Sequence, residues 1–313
     1  MAVSRTSCVA CGAAMIRRLE DWLLFCPVCG FWRSLLAGFD PAAADRGTLD
    51  ESRRVAGLED LRRENYERTL AVLRRLTPLT GKRLLDVGCA YGWFLSSAKA
   101  AGMIPVGLEP DPAIAAAAAA TARVDLEVRV GSFPAAIPAG ELFDLVVFND
   151  VLEHLEDLDG ALAGCRRMLR PDGLLVVSAP DSGGVLFRTA VALARCGQKE
   201  LLHRLWQKDY PSPHLSYFNS GNLARLMRRH AFVVRARRRL RSLRLGGMWS
   251  RLHMDRRPTP RSLVQYLALT AALPVIVSCL PSDQLLHCYQ CKAGGELRAR
   301  GGRAAAPLCA SGL

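Results

Sequence analysis

A glycine turn between two acidic residues is the feature of this 313-residue chain with the most direct chemical meaning. Asp86 lies at the end of an apolar run, the turn Gly88–Gly92 follows it, and Glu109 ends the next apolar run. Glycine allows a backbone to approach a ligand closely, and a carboxylate after a second strand can accept hydrogen bonds from both hydroxyls of a ribose. The pattern therefore predicts a binding site for an adenosine-bearing cofactor.

The spacing of the glycines favours one kind of cofactor. A dinucleotide site needs G-x-G-x-x-G, whereas this turn is G-x-x-x-G with Ala90 between the glycines. Asp86, just before the turn, would repel a pyrophosphate, but it could attract the amino and sulfonium groups of S-adenosylmethionine. These residues predict a cationic cofactor rather than a dinucleotide.

Segment 86–92 together with Glu109 resembles the class I S-adenosylmethionine-dependent methyltransferases, and two further blocks extend the likeness. Residues 141–155 are similar to the fourth strand of that family and its following loop, and residues 169–178 to its helix, turn and fifth strand. The resemblance implies an α/β, Rossmann-like fold with a mostly parallel sheet and helices on both faces. It also implies a set of cofactor-binding residues: Asp86, Gly88, Cys89, Gly92, Glu109, Asn149 and Asp150.

Two positions depart from the pattern of that family. Ala90 stands where many members have a middle glycine, and Ser132 stands where many have an acid that contacts the adenine amino group. The first change is small in steric terms. The second leaves a hydroxyl as the available hydrogen-bond acceptor.

Four cysteines near the start of the chain predict a metal site. Cys8, Cys11, Cys26 and Cys29 form two C-x-x-C-G knuckles, which can supply four thiolates tetrahedrally to zinc. Such a zinc would be structural, because no coordination position is left for water. A redox dithiol pair and unrelated reduced cysteines are the alternatives. A zinc ribbon followed by a methyltransferase resembles a group of bacterial small-molecule methyltransferases that includes sugar C-methyltransferases.

The chain divides into four predicted parts. Residues 1–39 form the ribbon, residues 40–80 a linker and an N-terminal helix over 58–76, residues 81–293 the methyltransferase domain, and residues 294–313 a disordered tail. Segment 180–218 follows the fifth strand, so it is expected to cover the methyl group of the cofactor and to hold the substrate.

Two histidines are candidates for acid–base catalysis. His214 lies in segment 180–218 and could act as a general base, because a neutral imidazole can take a proton from a hydroxyl or an acidic carbon. His154 closes the loop after the fourth strand and is a weaker candidate. For both, a structural role in capping, in the core or in bonding a loop is the alternative.

Positive charge and a long uncharged run lie towards the end of the chain. The formal net charge is +13, and residues 225–261 contain thirteen arginines and one acid. The uncharged run 263–280 favours a buried helix, with an interfacial membrane contact as second and a membrane span as third interpretation. An arginine-rich segment beside an apolar one suits anionic lipid headgroups or a lipid-linked glycan.

Nucleic acid is the rival partner for the basic segment. Aromatic residues are sparse in it, and the chain has no N-P-P-Y-type pocket for a flipped base. The leading hypothesis is methyl transfer to the O or C of a small-molecule acceptor, with a sugar or a lipid-linked precursor as examples. An RNA or protein methyltransferase and a non-catalytic binding protein of the same fold are the alternatives. No secretory signal opens the chain, so a cytoplasmic protein is expected, with peripheral contact to the inner membrane face as an additional expectation.

Overall fold

The computed structural model describes residues 6–39, 50–121, 126–254, 257–279 and 282–291. The predicted linker 41–47 and the predicted tail 294–313 lie outside the described residues. The elements below are numbered in chain order.

A small antiparallel sheet contains the N-terminal cysteines in its loops. Its strands are β1 (Ile16–Arg18), β2 (Glu20–Phe25) and β3 (Trp32–Ser34). A fourth strand, β9 (Ser216–Tyr217), comes from segment 180–218 and pairs with β3. The ribbon therefore shares a sheet with the segment predicted to cover the cofactor.

The central sheet has seven strands within the described chain, in the order β10-β11-β8-β7-β4-β5-β6. The strands β4 to β8 run parallel, and β11 is antiparallel to both of its neighbours. Strand order reverses at β4, which has β5 on one side and β7 on the other, and ligands bind at such switch points in open α/β sheets. The bounds are β4 (Arg83–Val87), β5 (Ile104–Glu109), β6 (Glu127–Val130), β7 (Phe143–Asn149), β8 (Leu169–Pro180), β10 (Phe232–Leu240) and β11 (Gln284–Cys291).

Both faces of the central sheet are covered, which confirms the predicted mostly parallel Rossmann-like sheet. Successive side chains of β4 enter different apolar clusters, Leu84 on one face and Leu85 on the other, as the pleat of a strand requires. The helices are α1 (Glu51–Leu73), α2 (Trp93–Ala100), α3 (Pro112–Thr121), α4 (Leu158–Met168), α5 (Val185–Arg195), α6 (Glu200–Leu205), α7 (Ser220–Arg229), α8 (Met248–His253) and α9 (Pro260–Cys279).

Helix α1 begins earlier than the sequence predicts. Asp50 caps it, because its side chain accepts a hydrogen bond from the backbone N–H of Arg53 at 3.1 Å. Tyr66, Leu70 and Leu73 pack into the cluster that also contains Phe94 of α2. In the sequence, charged residues interleaved along this helix obscure the narrow apolar face through which it packs against the sheet.

The predicted buried helix over 263–280 is wrong for the part of α9 whose side chains are described. Leu263 is 46% exposed, Val264 65% and Leu267 56%. The helix packs on α8 through Ser262 and Tyr266, and this leaves the three apolar side chains facing solvent. In the part of the chain that the structure describes, no helix is long and apolar enough to cross a membrane.

Candidate active site

A cavity of about 1930 Å³ opens at the carboxyl ends of the parallel strands. Gly88, Glu109, Asn149 and Asp150 line it from the ends of β4, β5 and β7. Arg62 and Tyr66 of α1, together with several residues from segment 180–218, complete its wall. The cavity is therefore at the position where α/β sheets bind ligands.

The glycine turn is held by the backbone and by Glu109. Gly88 has φ +68°, and a Cβ there would lie 2.6 Å from the side chain of Val151, so only glycine fits. Ala90 has φ +46°, and its N–H donates to Oε2 of Glu109 at 2.9 Å. The alanine that departs from the family pattern thus adopts the left-handed conformation usual for glycine, where the carboxylate anchors it.

Glu109 is 7% exposed, and its second oxygen accepts from the backbone N–H of Asp111 at 3.2 Å. Burial raises the pKa of this carboxyl, while the two backbone N–H groups favour its ionised form. A carboxylate on a cavity wall with acceptor capacity left suits the hydroxyls of a ribose. The residues present therefore fit the predicted cofactor at this end of the cavity.

Asp86 lies beneath the turn and is not among the residues that line the cavity. It is 2% exposed, and its Oδ1 accepts a hydrogen bond from Nδ2 of Asn149 at 3.2 Å. Burial raises the pKa of Asp86 to about 8, and the charge of Glu109 adds to this effect. Asp86 therefore positions Asn149. Because its pKa lies above neutral pH, the carboxyl is largely protonated there, and only its ionised form would attract a cationic ligand through the cavity wall.

The other predicted cofactor residues either line the cavity or, like Asp86, lie behind its wall. Cys89 packs behind the turn beside Leu95, and Gly92 has φ +70° at the start of α2. Asp150 lines the cavity with φ +56°; its Oδ1 accepts from Nε2 of Gln284 at 2.6 Å, and its Oδ2 lies 3.5 Å from the guanidinium of Arg62. Gly88, Glu109, Asn149 and Asp150 face the cavity, whereas Asp86, Cys89 and Gly92 shape its wall from behind.

The structure brings the two candidate histidines together, with ring centroids 4.7 Å apart. Nδ1 of His154 lies 2.9 Å from the carbonyl oxygen of Pro213, and Nε2 of His214 lies 3.1 Å from Nε2 of Gln207. Burial lowers the pKa of His154 to about 4. Burial also lowers the pKa of His214 well below its usual value; the neighbouring His154 adds to this, and the carbonyl of Leu205 opposes it. Both imidazoles are therefore neutral near physiological pH.

Glu153 is a residue of this site that sequence reasoning missed. It is 1% exposed, and within the described residues neither carboxylate oxygen has a hydrogen-bond partner. Burial raises its pKa well above the usual value, and the charge of Asp150 adds to the effect. An acid directly before His154, in the loop after β7, is the signal that could have identified it.

The four cysteines of the ribbon form one cluster. One Sγ from each lies within 4.8 Å of the other three, with Cys8 and Cys29 at 3.5 Å and Cys11 and Cys26 at 3.4 Å. All four are free thiols. The backbone of each knuckle turns alike, since the glycine N–H donates to the first cysteine carbonyl at 2.7 Å for Gly12 and 2.9 Å for Gly30. Tetrahedral thiolates on zinc stand about 3.8 Å apart, so this donor set fits a structural zinc ion.

Hydrogen bonds connect the ribbon to the segment that carries His214. The hydroxyl of Ser34 donates to the carbonyl oxygen of His214 at 3.0 Å, and Arg33 donates to Oγ of Ser216 at 3.0 Å. Nδ2 of Asn219 donates to the carbonyl oxygen of Cys29 at 3.2 Å. The ribbon thus supports the loop of the candidate base although its cysteines lie outside the cavity.

Some arginines of the basic segment 225–261 contact the rest of the protein. Arg239 pairs with Asp181 at 2.8 Å and Arg241 with Glu64 at 2.8 Å. Arg251 lines the cavity, and burial lowers the pKa of its guanidinium to about 10. These three of the thirteen arginines are therefore engaged within the protein, whereas Arg235, Arg237 and Arg238 of β10 are exposed.

Comparison with known proteins identifies the family of this chain. A family model described as a methyltransferase domain matches residues 58–236. A ubiquinone biosynthesis O-methyltransferase of Rhizobium johnstonii is 33% identical over 128 residues, which are 40% of this chain and 50% of that protein. Its counterpart in Azorhizobium caulinodans is 35% identical over 108 residues, 34% of this chain and 43% of that protein. The chain spans about half the length of the curated relatives it matches.

A similar fold is found among solved structures. One chain of the complex between the Haloferax volcanii Trm112 methyltransferase activator and a methyltransferase aligns with a TM-score of 0.54 and 17% identity. The alignment covers 82% of this chain and 99% of that chain. At this identity the likeness concerns the fold alone.

Proposed function

Because the chain belongs to the methyltransferase domain family and is a class I S-adenosylmethionine-dependent methyltransferase, we propose that it methylates an oxygen atom of a small molecule. One observation carries the proposal: a single cavity joins the glycine turn and Glu109 at one side to His154 and His214 at the other. The O-methyltransferase names of the curated relatives favour oxygen over carbon as the acceptor atom.

In this proposal the cofactor residues have two roles. Glu109 accepts hydrogen bonds from the ribose, while Gly88, Asn149 and Asp150 contact the cofactor along the ends of β4 and β7. A second group keeps the turn and Asn149 in place; its members are Asp86, Cys89 and Gly92. The bound cofactor supplies a methyl group activated by its sulfonium charge, so the chain itself must position the acceptor and manage its proton.

His214 is the proposed general base, with His154 beside it. Because burial keeps both imidazoles neutral, each can accept a proton from an acceptor hydroxyl. His214 is buried, and the hydrogen bond from Ser34 to its carbonyl oxygen holds the backbone there. A base held in this way would be preorganised for proton transfer at the cavity wall.

Replacing His214 with Ala tests this assignment. We expect turnover to fall by about 10²–10⁴-fold with little change in cofactor affinity, because a general base acts in the transition state. His203→Ala is the matched control, since this histidine bonds to Glu20 at 3.1 Å outside the cavity. Equal turnover in His214→Ala and His203→Ala would assign His214 to structure only.

For the ribbon, we propose one structural zinc ion held by Cys8, Cys11, Cys26 and Cys29. The close approach of the four thiols supports this assignment, and the ion would act by folding the ribbon rather than by chemistry. Loss of the zinc ion should therefore also disturb the acceptor side of the cavity, because the ribbon and segment 180–218 share a sheet.

The acceptor is proposed to be a hydroxylated compound, either a sugar or a lipid-linked precursor, presented at an anionic membrane. Exposed apolar side chains around α8 and α9 support the membrane contact, and Met248, Arg257 and Leu269 of the same region line the cavity. We name the exposed apolar side chains on and beside these two helices the α8–α9 surface. They are Leu245, Trp249, Leu263, Val264 and Leu267. A lipid bound here would have its polar end near the cavity.

A further inference from the structure

Three side chains at the acceptor side of the cavity form a second cluster of metal-ligand type. One ligand atom from each of Glu153, His154 and His214 lies within 4.8 Å of the other two. We propose that these residues bind a divalent transition-metal ion, separate from the ion of the cysteine cluster. The inference concerns metal binding alone and holds or fails independently of the proposed methyl transfer.

The first argument is the presence of unpaired polar atoms in a buried place. Among the described residues, both carboxylate oxygens of Glu153 and Nδ1 of His214 are buried without a hydrogen-bond partner. Glu153 is 1% exposed and His214 is 7% exposed, so both side chains are largely withdrawn from bulk solvent. Buried polar groups in native proteins are nearly always paired, and a cation between these residues would satisfy all three atoms together.

The second argument comes from the outer hydrogen bonds of the two histidines. Nδ1 of His154 faces the carbonyl oxygen of Pro213 at 2.9 Å. A carbonyl only accepts, so this contact assigns the proton to Nδ1 and the lone pair to Nε2, and the hydroxyl of Ser212, 3.1 Å from the same Nδ1, can then accept as well. Metal-binding histidines commonly donate their other ring N–H to a backbone carbonyl in this way, which fixes the tautomer.

His214 has an equivalent partner. Its Nε2 lies 3.1 Å from the amide group of Gln207, whose oxygen and nitrogen are interchangeable assignments. With the amide oxygen on this side, Gln207 accepts the Nε2–H and leaves the lone pair on Nδ1, the atom without a partner. Gln207 then orients His214 as Pro213 orients His154.

The donor set indicates which ions would bind. Two imidazoles and one carboxylate suit Mn²⁺, Fe²⁺, Co²⁺ or Zn²⁺, whereas Mg²⁺ and Ca²⁺ prefer oxygen ligands throughout. The carboxylates of Glu153 and Asp150 both favour a cation here, and Arg62, 3.5 Å from Asp150, opposes it. Three protein ligands leave coordination positions open toward the cavity.

Open positions in a substrate cavity would let the ion bind an acceptor hydroxyl and lower its pKa. This consequence, unlike the metal binding, rests on the proposed function. In that case His214 would act as a ligand, and the ion would activate the hydroxyl in place of the imidazole.

Mn²⁺ titration of the full chain with its zinc in place, followed by electron paramagnetic resonance, tests the inference. Mn²⁺ disfavours a four-thiolate site, so its binding reports on the second cluster. We expect one Mn²⁺ per chain with nitrogen hyperfine coupling from imidazole, and at least tenfold weaker binding in Glu153→Gln and in His214→Ala. His203→Gln, with a histidine outside the cavity, should bind as the wild type does.

Three results would overturn the inference. These are the absence of Mn²⁺ binding at millimolar concentration in the wild type, equal binding by all variants, or bound Mn²⁺ without nitrogen coupling. Circular dichroism of each variant identifies any that fails to fold, and the nitrogen coupling of the wild type decides the matter without a variant. Because no readout depends on turnover, a failed methyl-transfer assay and a failed metal titration remain distinguishable.

Discussion

At the residue scale, Glu109 connects the glycine turn to the proposed cofactor position. One oxygen accepts from the N–H of Ala90 at 2.9 Å, and the other accepts from the N–H of Asp111 at 3.2 Å. Each oxygen has further lone-pair capacity toward the cavity. The same carboxylate thus holds Ala90 at φ +46° and remains available to ligand hydroxyls.

We expect Glu109→Ala to weaken S-adenosylmethionine binding by about 1–3 kcal/mol, because hydrogen bonds to the ribose are lost and the turn loosens. Isothermal titration calorimetry measures the change directly. Glu109→Gln is the matched control: it keeps one oxygen acceptor and should fall between wild type and Glu109→Ala. Undiminished binding by Glu109→Ala, or no binding by the wild type, would remove the assignment of this site.

Individual residues also show where sequence reasoning stops. Gly88 and Glu109 could be identified from the sequence because their roles follow from backbone geometry and strand order. For Glu153 the sequence offers only its place directly before His154, because its importance depends on burial beside His214, which is distant in the sequence and comes close only in the folded chain. Asp86 was identified as a site residue, but its position beneath Asn149 depends on the register of β4 with β7.

At the element scale, the ribbon is joined through a shared sheet to segment 180–218, which carries the proposed base. Strand β9, directly after His214, pairs with β3, and Ser34 donates a hydrogen bond to the carbonyl oxygen of His214. Folding of the ribbon therefore fixes the backbone at the candidate base. By contrast, the glycine turn and Glu109 belong to the central sheet and do not depend on β3.

Removal of zinc should disturb the acceptor side of the cavity and leave the cofactor side largely unchanged. Chelation is expected to reduce turnover by on the order of 10²-fold, because misplacement of a catalytic group by about 1 Å has this effect. Cofactor affinity should change little, and much of the central domain should stay folded by circular dichroism, since structural zinc supplies folding free energy to its own small domain. Elemental analysis should show the zinc content falling by one ion per chain when all four cysteines become Ser. An unchanged zinc content in that variant would reject the assignment.

The order of the elements was predictable, and some of their partners were not. Strands β4, β5 and β7 follow from short apolar runs with turn residues after them, and the knuckles follow from cysteine spacing. Strand β9 is two residues long, and no periodicity marks so short a strand. The exposure of α9 was missed because an uncharged run is equally compatible with a buried helix and an interfacial one.

At the scale of the whole molecule, charge and apolar surface are arranged differently from their distribution in the sequence. The net charge of +13 is concentrated in segment 225–261, yet Arg239 and Arg241 form ion pairs within the protein and Arg251 lines the cavity. Exposed apolar side chains include those of the α8–α9 surface, near residues that line the cavity. We therefore prefer a lipid surface to a nucleic acid as the proposed partner, because apolar side chains are exposed beside the basic segment.

Vesicle co-sedimentation and an RNA gel shift, run side by side at physiological salt, test the membrane contact. We expect binding to vesicles that contain phosphatidylglycerol, with weaker binding at high salt and none to RNA, because apolar burial and headgroup attraction act together. Leu263→Asp with Leu267→Asp should abolish vesicle binding. Ile104→Asp is the control, since Ile104 is 55% exposed at the amino end of β5, away from the cavity, and it should bind vesicles as the wild type does. Binding to RNA alone would overturn the membrane proposal, and binding to neither would indicate an acceptor that is free in solution.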